Sequence, residues 1–147
     1  MPKPIEPRQY DPEVAARMVD AGDLITGLPA YLGVRTVDAG PARMVAELDV
    51  RPELLNPFGT AHGGVITALV DHVLGSVLYP VIERGQWAAT TEFKVNLLAP
   101  VRGGTLRAEA IIVAMSKRTA VVQVEVTNDG TLAGLAQGTV LIPEKRA

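Results

Sequence analysis

Apolar positions along this chain follow two periods. Residues 63 to about 79 carry Val65, Ile66, Leu69, Val70, Val73, Leu74, Val77 and Leu78, which cover most sides of a helix. A helix apolar nearly all round belongs in a core. On both sides of it the period is two, the signature of strands with one buried face. Val34 and Val37 belong to a first strand, broken by Ala39-Gly40-Pro41. Met44, Ala46, Leu48 and Val50 then alternate with Arg43, Val45, Glu47 and Asp49. After Gly85, Phe93, Val95 and Leu97 alternate with Glu92, Lys94 and Asn96, and Arg102-Gly103-Gly104 turns the chain. Residues 105–115 form a long strand, Met115-Ser116-Lys117 turns, and Val122, Val124 and Val126 alternate with Gln123 and Glu125. Asn128-Asp129-Gly130 is a hairpin signal, and 131–142 form the last strand before Pro143.

The N-terminal part has a different character. Residues 1–10 hold three prolines and no periodicity, and read as an extended arm. Asp11-Pro12-Glu13 opens a short helix with Asp11 as N-cap, carrying Val14, Met18 and Val19 and ending near Gly22. A second short turn, Asp23 to Leu28, stops before Pro29. Both are too short to stand alone and must lie on something else. The expected architecture is α+β: two strands, one long central helix, then four strands in an antiparallel sheet of about six strands, with short N-terminal helices. Such a sheet keeps edges and leaves the helix incompletely covered; dimerisation would manage both. The expected division is an arm with short helices over 1–29, one domain over 30–143 and a tail over 144–147.

Composition narrows the class. An apolar fraction of 48% with 20% charged residues is that of a globular chain. No consecutive apolar run reaches the ~20 residues of a membrane span, and residues 1–8 hold no hydrophobic signal core. There are no cysteines, which excludes disulfides, zinc thiolates and cysteine nucleophiles. These features fit the cytoplasm. A net charge of −2 without Lys/Arg clusters argues against a nucleic-acid partner. His62 and His72 lack metal-ligand spacing, so no metal or cofactor is expected.

Against this background the stretch from Asn56 to Asp71 is costly. Gly63 and Gly64 each weaken a helix by ~1 kcal/mol, and Asp71 puts a charge in an apolar helix. The first helical turn leaves the N–H groups of Gly63 and Gly64 without intrahelical partners, and such donors suit a developing oxyanion. Glycine also lets a ligand carbonyl approach the backbone. Asp71 can act as nucleophile or general base. Thr67, Asp71 and Gly75 form one line down the helix beside Gly64 and Ala68, small enough to border an acyl pocket. Gly63 and Asp71 are separated by ~12 Å of rise and ~80° of rotation, so one chain cannot place both at one carbonyl. Two antiparallel helices across a two-fold axis can, which predicts an obligate dimer with two shared sites. The plain alternatives are a buried Asp71 satisfied by Thr67, and glycines that serve a tight loop-to-helix turn.

These residues closely resemble the hotdog-fold acyl-CoA thioesterases, in particular the branch typified by the phenylacetate-pathway thioesterase (PaaI-like). That branch carries an N-x-x-G-x-x-H-G-G-x-x-x-x-L-x-D signature, here Asn56, Gly59, His62, Gly63, Gly64, Leu69 and Asp71. The resemblance covers about residues 30–143 in element order as well as motif. It implies a sheet wrapped round one helix and dimers joined edge to edge, themselves pairing into tetramers. It implies that Gly63 N–H polarises the thioester carbonyl and that Asp71 of the other subunit attacks it or activates water. Asn56 and His62 would orient the loop, the water or the thioester. Thr90, or its neighbour Thr91, would hydrogen-bond the carboxylate or water. Lys117 and Arg118 occupy the turn where family members contact the nucleotide part of coenzyme A. His72 and residues 1–29 lie outside the signature.

Three other functions compete. A binding module for acyl-CoA or acyl carriers could use the same scaffold without turnover. A hotdog dehydratase needs a second acid or base at comparable spacing, which is not seen. An α/β-hydrolase needs a G-x-S-x-G elbow, and after Gly75-Ser76 the second glycine is replaced by Leu78.

Overall fold

In the computed structural model, which describes residues 1–21 and 25–145, six strands form one antiparallel sheet. They are β1 (Arg35–Gly40), β2 (Arg43–Asp49), β3 (Ala89–Leu97), β4 (Thr105–Met115), β5 (Thr119–Asn128) and β6 (Thr131–Leu141), in the order β1-β2-β4-β5-β6-β3. Three helices accompany them: α1 (Pro12–Val19), α2 (Gly27–Leu32) and the central α3 (Gly63–Ser76). Two strands, one long helix and four strands is the expected element order.

Local chemistry sets the turns. Asp129 and Gly130 both have positive φ, 47° and 85°, the type I′ geometry that suits a two-residue hairpin between β5 and β6. β4 pairs with β2 from Arg43↔Ile111 to Asp49↔Thr105, so β2 joins the meander through its second neighbour in sequence. β3 returns to pair with β6 and becomes an edge strand.

The core lies between α3 and the sheet. Leu69, Val70, Val73 and Leu74 of α3 are fully buried against Met44 and Leu48 of β2, Leu106 and Ile112 of β4, Val122 and Val126 of β5, and Val140 of β6. α3 packs on β2, β3, β4, β5 and β6.

Several boundaries differ from the sequence reading, each for a physical reason. α3 ends at Ser76 rather than near residue 79, and the chain tightens into a 3-10 turn over Tyr79–Val81. Pro80 has no N–H for Ser76, which stops the regular helix. The whole helical run Gly63–Val81 has 19 residues, and its most apolar stretch has a mean hydropathy of 1.5, long and apolar enough to cross a membrane by length and composition. Counting only consecutive apolar residues missed this because Thr67, Asp71 and His72 interrupt the run; here it packs into the sheet. Pro29 lies inside α2 instead of beyond the turn, because a first-turn N–H has no helical partner to lose. α1 ends at Val19 with Asp20 as its cap; the expected end at Gly22 and the start of the turn at Asp23 fall outside the described residues. Val45, expected on the polar face, is fully buried, as is Ile111, whose strand partner Arg43 shares that outer face. Nearby, Ile5 N–H bonds Ile112 O at 3.0 Å, and α1 packs on β1 with Ala15 buried.

Candidate functional site

The loop before α3 is built by Asn56. Its Oδ1 accepts the N–H groups of Phe58 at 2.9 Å and Thr60 at 3.3 Å, and its Nδ2 donates to Thr60 Oγ1 at 2.9 Å. Gly59 takes the positive φ, 76°, that closes this turn. Ala61 N–H then bonds Val101 O at 2.7 Å and His62 N–H bonds Leu54 O at 2.9 Å, fixing where the helix starts.

His62 is the N-cap of α3. Its Nδ1 accepts the Gly64 N–H at 2.9 Å, which places the ring proton of the neutral form on Nε2. This corrects the expectation that both glycine N–H groups are free: Gly64 donates to His62, and Gly63 alone keeps an N–H without a partner among the described residues. Side chains crowd both glycines, so a larger residue at either would require the neighbouring side chain to shift. A Cβ on Gly63 would sit 2.9 Å from Leu97 Cδ1, and one on Gly64 2.9 Å from His62 Nδ1. Thr67 Oγ1 donates to Gly63 O at 2.7 Å, so its hydroxyl steadies the first turn and does not satisfy Asp71.

Asp71 is exposed in the single chain, not buried. It makes no ion pair or side-chain hydrogen bond among the described residues. The reason is that the sheet covers one side of α3 only, while Gly64, Thr67, Ala68, Asp71 and Gly75 lie on the open side. Asp71 borders an open groove of about 450 Å³ with Gly64, Thr67, Thr90 and Thr91. A bulge in β3 separates the two threonines. Thr90 pairs with Val140 and Glu92 with Thr139, leaving Thr91 as the extra residue, and Thr91 Oγ1 donates to Thr139 O at 3.0 Å. The Thr90 hydroxyl has no such partner among the described residues. Next along the helix, burial pushes His72 below its ordinary value of 6.5, against the opposing pull of the Asp71 charge.

Asn56 and Gly63 line a second groove, of about 310 Å³, with Ile66, Leu97 and Leu98. The chain therefore brings Asp71 to Thr90 and Gly63 to Asn56, and does not bring Gly63 to Asp71. Around the second groove Phe58, Leu97 and Leu98 stand 87%, 52% and 50% exposed, beside the unpaired edge of β3. Lys117 and Arg118 are exposed in the β4–β5 turn, where Ser116 Oγ accepts the Arg118 N–H at 3.2 Å; they line neither groove. A larger hollow, about 530 Å³, lies at the N-cap of α1, but its Arg84 is tied to Asp11 at 2.7 Å and Glu13 at 2.8 Å. No group of three His, Asp or Glu able to hold a metal occurs among the described residues.

Comparison with known proteins gives these features a context. Residues 58–134 match the profile of the Thioesterase superfamily. The chain is 27% identical over 121 residues to a 1,4-dihydroxy-2-naphthoyl-CoA hydrolase from Listeria monocytogenes, covering 82% of this chain and 98% of that one. It is 29% identical over 106 residues to human acyl-coenzyme A thioesterase 13, covering 71% and 75% of the two chains. A variant of the phenylacetic acid degradation protein PaaI from Thermus thermophilus superposes with a TM-score of 0.71 at 31% identity, covering 77% of this chain and 96% of that one. The family profile, the relatives and the sheet wrapped round one helix agree: this chain belongs to the thioesterase superfamily and is a hotdog-fold thioester hydrolase.

Proposed function

We propose that the protein hydrolyses acyl-CoA thioesters to a free acid and coenzyme A at two sites shared between the subunits of a homodimer. One observation carries this reading. The Gly63 N–H and the Asp71 carboxylate, both without a partner among the described residues, line separate grooves along α3. Two α3 helices running antiparallel across a two-fold axis bring the Gly63 of each chain to the Asp71 of the other, twice. The exposed β3 edge and Leu97 and Leu98 beside it supply the surface for that pairing.

In such a site the thioester carbonyl oxygen points at Gly63 N–H and the positive end of α3, where negative charge develops. Asp71 has two routes to product. It can attack the carbonyl carbon, expelling the coenzyme A thiolate and leaving a mixed anhydride that water opens. It can instead take the proton of a water that attacks directly. Either way water is the only co-reactant, and no cofactor takes part. Thr90 offers its hydroxyl to the carboxylate or the water. Asn56 and His62 hold the loop and the helix start, so their contribution is to place Gly63 N–H. Gly64 and Thr67 line the Asp71 side of the groove, and Thr91 supports β3 at the bulge. Lys117 and Arg118 supply cations for the phosphates of coenzyme A. Acyl-CoA is the substrate class because the relatives' names carry it, with the cytoplasm as the place of action and a dimer of dimers as the assembly.

The test is thiol release from a panel of acyl-CoA esters by the purified protein, with Asp71→Ala alongside. Turnover by the wild type and its loss in the variant are expected. Ligand-induced stabilisation without turnover would replace the enzyme reading by that of a binding module.

A further inference from the structure

β3 carries one residue more than its pairing with β6 needs, and that residue decides which way Thr90 faces. Phe93 stands opposite Gly138, and a Cβ on Gly138 would come within 2.6 Å of Phe93 Cβ and 3.2 Å of Leu74 Cδ1. Leu74 belongs to α3, so Phe93 and Gly138 lie on the face of the sheet turned to that helix. In an unbroken strand successive residues face opposite ways. Counting back from Phe93, Glu92 would face away from α3, Thr91 toward it and Thr90 away again. The Thr90 hydroxyl would then stand on the opposite side of the sheet from Asp71.

The bulge reverses the count. Glu92 pairs with Thr139 and Thr90 with Val140, so Thr91 drops out of register. Val140 is two residues from Gly138, on the same face, and is fully buried in the core. Thr90, paired with it, therefore lies on the α3 side, where it lines the groove with Asp71. One inserted residue moves the side chains before it to the other face. Thr91 is that residue, and its Oγ1 donates to Thr139 O at 3.0 Å, across the strand pair at the point where the register shifts.

We infer that Thr91 is a positioning residue for the hydrolysis: its bond to Thr139 holds the bulge, and the bulge aims the Thr90 hydroxyl at the Asp71 carboxylate or its water. This rests on the thioesterase reading above. The bond ties a side chain of β3 to the backbone of β6, so it fixes the extra residue directly. Valine at 91 keeps the shape of threonine but has no donor; serine keeps the donor.

The experiment compares Thr91→Val, Thr91→Ser, Thr90→Val and the Thr90→Val/Thr91→Val double variant of the full chain, by thiol release from butyryl-, octanoyl- and benzoyl-CoA. Thr91 is exposed and valine suits a strand, so the fold is kept, which thermal melting checks. Thr91→Val is expected to lower kcat by about tenfold or more with KM little changed, the mark of a misplaced reacting group, and Thr91→Ser to restore it. In the Thr90→Val background the Thr91 change should cost no more than about twofold, because the hydroxyl it places is already gone. Losses that multiply in the double variant, an unchanged kcat in Thr91→Val, or a serine variant as slow as the valine one would overturn the assignment. A fully active Thr90→Val beside an inactive Asp71→Ala would overturn it too and leave the thioesterase reading in place. A wild type that hydrolyses none of these esters would remove both.

Discussion

Replacing Asp71 by asparagine should separate chemistry from folding. The carboxylate is exposed and has no hydrogen-bond or ion-pair partner among the described residues, so the folded protomer loses no contact. Asparagine and aspartate have similar helix propensities, and such surface changes fall within about 0.5 kcal/mol. For a chain of this size that is a shift of about 1–2 °C in Tm. Loss of the attacking group or general base costs far more, a factor of about 10²–10⁴ in kcat. Thermal melting and saturating thiol-release assays on the same preparation make the comparison. A Tm lowered by more than about 4 °C would show that Asp71 is structural. A kcat within tenfold of wild type would remove it from the chemistry.

Other positions should behave differently. Asn56→Ala removes three hydrogen bonds that shape the loop, and should cost about 1–2 kcal/mol, seen as a Tm fall of about 3–6 °C with a weakened kcat. Unchanged stability would contradict the structural role given to that side chain. Gly63→Pro deletes the free N–H at a position where proline is tolerated, since Pro suits the first helical residue and His62 already has the extended φ −60°, ψ 134° that proline requires before it. It should lower kcat by about 10²–10³ while the fold persists, the Leu97 side chain moving aside; a near-normal kcat would exclude Gly63 as the oxyanion donor. Burial lowers the folded-state pKa of His72 below 6.5, so at pH 7 and above both states hold it neutral. As pH falls below 6.5 the unfolded chain takes the proton first, and stability drops until the depressed folded value is passed. Urea midpoints between pH 7.5 and 5 should therefore fall less steeply in His72→Gln; identical slopes would refute this.

The regular elements were legible because their signals are local. Asn128-Asp129-Gly130 carries its own turn geometry, and the alternation in residues 105–142 marks three strands whose short turns force a meander. What was not legible depends on distant partners. The line of Thr67, Asp71 and Gly75 beside Gly64 and Ala68 is legible from helical spacing; that the sheet leaves this side open and Asp71 exposed is not. No periodicity reveals that the His62 side chain takes the Gly64 N–H, which leaves the Gly63 N–H at the helix start without a partner among the described residues. Thr90 and Thr91 are adjacent and identical in type; the bulge in β3, set by pairing with β6, separates them. Val45 and Ile111 are buried although they share the outer face with Arg43, so the alternation rule misplaced Val45. The separation of Gly63 from Asp71 followed from helix geometry alone, and the two grooves agree with it.

The shared site is tested most directly by mixing subunits. Gly63→Pro and Asp71→Ala chains, each inactive alone, are unfolded together at equal amounts and refolded. If each site takes Gly63 from one chain and Asp71 from the other, every mixed dimer holds one site with both groups intact. Half the dimers are mixed, so the account predicts recovery of about a quarter of wild-type activity. Mixed dimers that form, as shown by differential tagging, yet remain as inactive as their parents would contradict it.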